Sequence, residues 1–501
     1  MRILNPANRA LRVIALVASL TAAAVAISCN SFIDPKPTDI LAPENFYKSS
    51  TDAVAGVNGI YEANRGPYSL YFWYMSDIAS DDIIASANFG SDGKRMAAYT
   101  FDPSEGTLAG PWGGFYAVIN RANTVLDRVP AITMDETLKA RVLGEARYLR
   151  ALAYFNLVRF YGDVPLVEHE VKSLKGLNVS RAPQAQVYAL IVSDLQSAIT
   201  ALPASYSGDD VGRATSSAAK TLLGKVYLQQ KNYASAATTL GQIISSGQYA
   251  LNAVWKDNFT VSKEITNPES IFEVNYDATL NPGTGSIHTL FSLPSDFQGG
   301  DAYGLMQVIP SLVNMFVPGD VRGNHGTFMI SPYTDRLNRV NSWTVPSGAA
   351  FDKYLDETND QNMKSRGWVQ QSNNWIVSRF ADVLLMYAEA VNEGGAAGPI
   401  SAAVALDSVR HRAGLPSANA VGQAALRDSI RVERRREFVF EGQRWFDLSR
   451  WGTLDAALRA KQAEMHLTQP NVTVRGAPSL FFPIPQSEID INPNLTQNQG
   501  W

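Results

Sequence analysis

A single cysteine stands in 501 residues, at position 29, directly after the longest apolar run of the chain. Its placement removes two common ways of stabilising a fold. No intrachain disulfide can form, and no cluster of thiolates can hold a metal. The chain after Cys29 must therefore be held together by an ordinary packed core. The apolar run extends from Val13 to Ile27 with Ser19 and Thr21 as its polar interruptions, and Arg2, Arg9 and Arg12 precede it. A basic start, a short apolar centre and a small-residue exit at Ala26-Ile27-Ser28 predict a secretory signal peptide over residues 1–28. The run is short for a membrane span, which needs ~20 apolar residues.

A cysteine immediately after such an exit resembles the bacterial lipobox, although Ala26 stands where that pattern usually has leucine. Cys29 is accordingly the expected site of lipid attachment. Residues 29–501 are read as one domain. Apolar residues make up 46% and charged residues 18% of the chain, enough for a substantial core and too apolar for disorder. The net charge of −4 offers no field to attract nucleic acid. The five histidines (169, 288, 325, 411 and 466) are scattered singly, which supplies no metal-ligand pattern.

Helical periodicity organises two blocks, about 112–250 and 376–460, and is expected at Thr51 to Tyr61 as well. Leu143, Ala146, Leu149, Ala153, Leu157 and Phe160 recur at three- and four-residue intervals, one face of an amphipathic helix ended by Gly162-Asp163 and Pro165. Leu223-Gly224 and Tyr227, a turn at Asn232 and the alanine-rich stretch from Ala234 to Ser245 resemble half of a tetratricopeptide unit. Similar pairs are expected to begin at Val142 and Asp382. The predicted fold class is mostly α, with tetratricopeptide-like helix pairs as scaffold, minor β structure and long irregular insertions at about 64–111 and 255–375. Long irregular segments in a compact protein are usually where recognition resides.

The densest charge run, Arg427 to Arg450, sets seven arginines against five acids. Acids and bases three apart (Asp428/Arg431, Glu433/Arg436, Arg434/Glu437, Glu441/Arg444) predict pairing within a helix rather than a nucleic-acid patch. Neither His-Glu-x-x-His nor Gly-x-Ser-x-Gly occurs. Asp77, Asp81 and Asp82 are read as loop or capping residues, and the Asp356 to Asn362 cluster lacks the spacing of a calcium loop. The irregular segments instead carry aromatics among Gly, Asn and Asp, the chemistry that stacks on sugar rings and bonds their hydroxyls. One group holds Asn64, Arg65, Tyr68, Tyr71, Phe72, Trp73, Tyr74, Asn88 and Phe89. The other holds Tyr276, Asp277, Phe291, Phe297, Tyr303, Tyr333 and Trp343. The ligand-binding candidates drawn from them are Asn64, Arg65, Tyr71, Trp73, Asn88, Phe89, Tyr276, Asp277, Tyr303, Tyr333 and Trp343, with the two indoles as the widest stacking faces.

Several phrases in order along the chain are similar to the SusD/RagB family of glycan-binding surface lipoproteins of Bacteroidetes. They are Cys29 through Pro35, Gly144 to Ala151 continuing through Tyr161 to Pro165, Arg379 to Ala390, Arg434 to Phe438 with Glu441 to Leu448, and the closing Phe482 to Trp501. The resemblance implies an α-helical fold and anchoring in the outer membrane. It also implies a SusC-like TonB-dependent transporter as partner and an oligosaccharide as ligand, with no catalysis. No cofactor or metal is expected from the residues, a structural cation being left open. The ligand candidates come from side-chain chemistry alone. Two alternatives stay open: capture of a peptide or another nutrient by the same architecture, and an envelope glycoside hydrolase, since two carboxylates across a cleft would suffice.

Overall fold

The structure, a computed structural model, describes residues 46–69, 71–172, 178–277, 286, 293, 303–323, 326–335, 337–345, 347–358, 372–466, 476 and 479–501. The chain divides into two compact units, Met1–Lys48 and Ser49–Trp501, and the description concerns the second. Cys29, Phe291 and Phe297 lie outside the described residues.

Helix α1 (Ser50–Ser69) starts on a reciprocal cap. The Ser49 N–H donates to Asp52 Oδ2 at 2.9 Å, and the Asp52 N–H donates back to Ser49 Oγ at 3.3 Å. It buries Ala53, Val57, Ile60 and Asn64 along one stripe. Helix α2 (Gly106–Arg128) buries Leu108, Trp112, Phe115, Ile119 and Ala122 at the same spacing. Helix α3 (Glu136–Tyr161) is capped by Asp135, whose carboxylate accepts the Leu138 N–H at 2.8 Å. It ends at Gly162, whose φ of 75° a side chain would resist.

From Tyr148 to Tyr161 every residue of α3 is buried. The amphipathic stripe read from the sequence is thus the centre of the fold, with α1 and α2 on one side, α4 (Gln184–Ala201) on the other, and the carboxyl-terminal segment closing over it through a Phe482 N–H to Phe160 carbonyl bond of 2.8 Å.

The next helices stack in succession: α5 (Ser216–Gln229) on α4, α6 (Tyr233–Ser245) on α5, α7 (Phe380–Asn392) on α6, and α8 (Ala402–Arg412) on α7. The stack passes from α6 to α7 without a break although Ser246 to Arg379 separate them in sequence. Thr215, Asn232 and Ser401 cap α5, α6 and α8 through their side-chain oxygens. Small residues set the spacing within a pair. A Cβ on Gly224 of α5 would lie 2.5 Å from the Leu240 side chain of α6, so a larger residue there would have to displace that side chain. The protein is mostly α and built on tetratricopeptide-like helix pairs, completed by α9 (Gln423–Glu437), α10 (Arg444–Trp451) and α11 (Leu454–Met465).

The described strands are short and pair antiparallel two by two: β1 (Ile83–Ala85) with β3 (Met306–Val308), and β2 (Ser270–Val274) with β4 (Trp375–Arg379). The β2–β4 pair joins Val274 to Trp375 and delivers the chain into α7.

Three expectations need correction. The segment 64–111 is not an irregular insertion: it holds the end of α1, helical turns over Tyr71–Trp73 and Tyr74–Ile78, β1, a short helix at Ser91–Ala97 and the start of α2. Asp77, Asp81 and Asp82 are buried, and the latter two pair with Arg444 at 2.7 Å and Arg435 at 2.7 Å rather than capping a loop. The charge run on α9 pairs mainly across the fold. Arg434 reaches Asp447 at 2.9 Å and Asp382 at 3.1 Å, and Glu437 holds Arg322 at 2.7 Å, Arg379 at 2.6 Å and also Arg412. Glu433 to Arg436, at 4.0 Å, is the expected intrahelical pair that persists, and it is the loosest of these.

Candidate functional site

At one end of the stack a cleft of about 830 Å³ opens between α1, the loop after α4, the chain leaving α6, and the outer edge of the β2–β4 pair. Three of the candidates from the sequence converge there: Arg65, Tyr276 and Asp277. The Tyr276 hydroxyl donates to the Arg65 carbonyl at 2.9 Å, and the guanidinium of Arg65 lies 5.4 Å from the Tyr276 ring centre. This ring is 5% exposed, so Arg65, not Tyr276, presents the contact surface at this wall.

Asn374 fixes the floor. Its N–H donates to Glu264 at 2.9 Å, its side-chain amide donates to Glu273 Oε2 at 2.9 Å, and its Oδ1 accepts the Tyr276 N–H at 2.9 Å. Burial, reinforced by Glu273, Asp356 and Asp277, pushes the Glu264 carboxyl up to about 9. Burial raises the Glu273 carboxyl as well. At neutral pH Glu264 is therefore a protonated carboxyl that can both donate and accept a hydrogen bond.

The opposite wall carries Arg213, which is already engaged by Glu145 at 3.0 Å, Asp210 at 2.5 Å and Asn58 at 2.8 Å. Gly212 beside it has a φ of 96°, and a Cβ there would stand 2.7 Å from the Asn275 amide, so the wall requires glycine. Two half-buried rings complete the lining. Tyr206 donates to the Ala214 carbonyl at 3.1 Å, and Tyr249 stacks on Phe380 with centroids 6.4 Å apart. The sequence reading missed both. Each sits just past a helix end in a polar stretch, the same signal that selected the other aromatics, but inside the block assigned to scaffold.

The remaining candidates are elsewhere. Trp73 is 0% exposed, its ring 4.9 Å from Tyr74 and 5.8 Å from Phe440, and Asn64 and Phe89 are also buried. The core needs these rings where α1 turns back toward α2, so they offer no face to a ligand in this conformation. Tyr68, Phe72 and Tyr74 share that core. Tyr71 is half-buried against Gly110, and Asn88 is exposed on the loop after β1. Tyr333 and Trp343 form a small separate core with Leu293, Ala350 and Leu355. Tyr303 is 38% exposed and does not line the cleft. Among the described residues no group of three or more His, Cys, Asp or Glu is placed to hold a metal, and no helix is long and apolar enough to cross a membrane.

Residues 323–501 match the family described as "SusD family", and residues 32–228 match one described as "Starch-binding associating with outer membrane". A solved structure of a laminarin binding SusD-like protein is 30% identical, covering 91% of this chain and 100% of that one with a TM-score of 0.76. The chain belongs to the SusD family. A SusD superfamily protein from Parabacteroides distasonis superposes with a TM-score of 0.75 at 26% identity, over 90% of the present chain and 99% of its own. A SusD-like protein of Formosa agariphila is 26% identical across 94% of this SusD-family chain and 96% of its own length.

Proposed function

We propose that this SusD-family protein is a non-catalytic, lipid-anchored receptor of the outer-membrane surface that captures an oligosaccharide in the cleft beside Arg65 and passes it to a SusC-like TonB-dependent transporter. The observation that carries the reading is the cleft itself. It combines half-buried tyrosine rings (Tyr206, Tyr249), hydrogen-bonding groups at fixed positions (Arg65, Asn374, Asp277) and room for several sugar rings, the usual make-up of a small-molecule site. The laminarin-binding relative, alike over nearly its whole length, supports the glycan class.

Charge narrows that class. Asp209 and Asp277 face the cleft with Arg65, Glu264 is uncharged at neutral pH, and Arg213 is neutralised by Glu145 and Asp210. This balance suits uncharged sugars and repels polyanionic ones. Titration calorimetry with laminarin fragments and with an alginate fragment of equal length tests the reading. Saturable binding of the neutral glycan alone, with no release of reducing ends, is the expected result. Steady appearance of reducing ends would replace the receptor by a hydrolase.

A further inference from the structure

The helical turn Val261–Thr266 contributes to one wall of the cleft and is fixed from both ends. The Val261 N–H donates to Asp356 Oδ2 at 2.9 Å, and Glu264 Oε1 accepts the Asn374 N–H at 2.9 Å. Just past the turn, Asn267 Oδ1 accepts the Asn252 side-chain amide at 2.7 Å and the Glu269 N–H at 2.9 Å. With Glu264 turned inward, the next side chain is left outside. Ile265 lines the cleft and is 82% exposed.

The loop after α4 repeats this arrangement on another wall. Val211 lies between Asp210, held by Arg141 at 2.8 Å and by Arg213 at 2.5 Å, and Gly212, which stands against the Asn275 amide. It too lines the cleft, and it is 41% exposed. Both aliphatic side chains are thus held in water by anchored polar neighbours. One exposed aliphatic residue needs no explanation, but two on different walls of one ligand cleft are a recognition feature.

Their shape says what they contact. A plain sugar offers flat C–H faces, which the rings of Tyr206 and Tyr249 match. A β-branched side chain has no flat face and packs closely around a methyl group. The group it receives is also uncharged, because Asp209 and Asp277 on the same cleft disfavour carboxylates and sulfates.

We propose that the glycan held in this cleft carries uncharged methyl-bearing substituents, O-acetyl esters or O-methyl ethers, and that Ile265 and Val211 select them. The inference rests on the cleft being the glycan site. Covering one methyl group tightens binding about fourfold, enough to separate decorated from plain chains of the same backbone.

The test is a competition at limiting concentration of the full chain. One mixture holds plain and statistically O-acetylated laminari-oligosaccharides of one length, and a second holds plain and O-methylated ones. Mass spectrometry compares the bound pool with the free pool. Methyl-bearing species should be enriched about fourfold in at least one mixture, and the two mixtures tell ester from ether. Ile265→Ser and Val211→Ser, both at exposed positions and so with little effect on Tm, should bring the enrichment down toward one. A bound pool with the composition of the free pool, or enrichment that survives in both variants, would overturn the assignment and leave the cleft a glycan site. An empty bound pool would remove the cleft reading itself, and this inference with it.

Discussion

At the scale of single residues, the same side chain can be core or contact surface, and burial separates the two. Trp73 is fully enclosed, so Trp73→Ala is expected to cost about 3–5 kcal/mol in denaturant unfolding and to leave glycan affinity per folded molecule unchanged. Tyr249, half-buried at the cleft, is expected to behave in the opposite way. Tyr249→Ala should weaken binding of laminarin fragments at least tenfold, with the melting temperature moving little; a ring–ring stack on Phe380 of this kind is worth about 0.5–1.5 kcal/mol. Full affinity in Tyr249→Ala would remove that ring from the site. Glu264 adds a pH signature. Its carboxyl is raised to about 9 in the fold, against an ordinary value of 4.5, with Glu273, Asp277 and Asp356 as its acidic neighbours. The folded state therefore holds the proton more tightly than the unfolded one. That contribution to stability is complete below about pH 4.5 and is lost progressively as pH rises toward 9. Unfolding curves recorded from pH 5 to 9 should show Glu264→Gln losing this slope, and ligand affinity of the unsubstituted protein should fall as pH passes through 9.

At the scale of elements, α9 illustrates how charges join pieces that the sequence leaves far apart. Glu437 is fully buried and holds Arg322, Arg379 and Arg412 together, linking the loop before the short strand Phe328–Ile330, the start of α7 and the end of α8. Removing it leaves three guanidinium groups short of a partner, so Glu437→Ala is expected to cost about 3–5 kcal/mol by denaturant unfolding. Asp455→Ala, which breaks an exposed pair with Arg459 at 2.7 Å, should cost less than about 1 kcal/mol. The contrast also explains what was legible beforehand. Helices α3 to α8 were readable because their apolar spacing, caps and terminal glycines are local. The pairing of Glu437 was not, because the partners that outcompete a neighbour three residues away come from 25, 58 and 115 residues off. The cleft was readable in part for the same reason. Tyr276 and Asp277 lie in irregular chain as expected, whereas Arg65 stands on the last turns of α1, and Tyr206 and Tyr249 reach the cleft from the loops that follow α4 and α6. Aromatic-rich segments such as 71–74 misled, since glycine and asparagine nearby signal a turn without saying whether the turn is inside or outside.

At the scale of the whole molecule, the proposed capture and the proposed delivery place different demands on the chain. The cleft needs only the unit Ser49–Trp501, while hand-over to a transporter needs the protein to stay where the transporter is. A lipid on Cys29 would serve that second demand by confining receptor and transporter to one surface, which raises their effective concentration without any new contact. More than one acyl chain is required for a firm hold, at ~0.8 kcal/mol per buried CH₂. The two functions should therefore separate by mutation. Cys29→Ala is expected to leave calorimetric affinity for laminarin fragments unchanged and to move the protein from the membrane fraction into the soluble one. Cells carrying it should take up the glycan more slowly, and a mild-detergent pull-down should recover less transporter. Because a durable complex of this kind buries on the order of 2,000 Å² or more, some association should survive loss of the anchor when both proteins are concentrated in detergent. Retention of Cys29→Ala on membranes from cells that lack the transporter would show that the hold does not depend on the cysteine, and the anchor would have to be sought elsewhere.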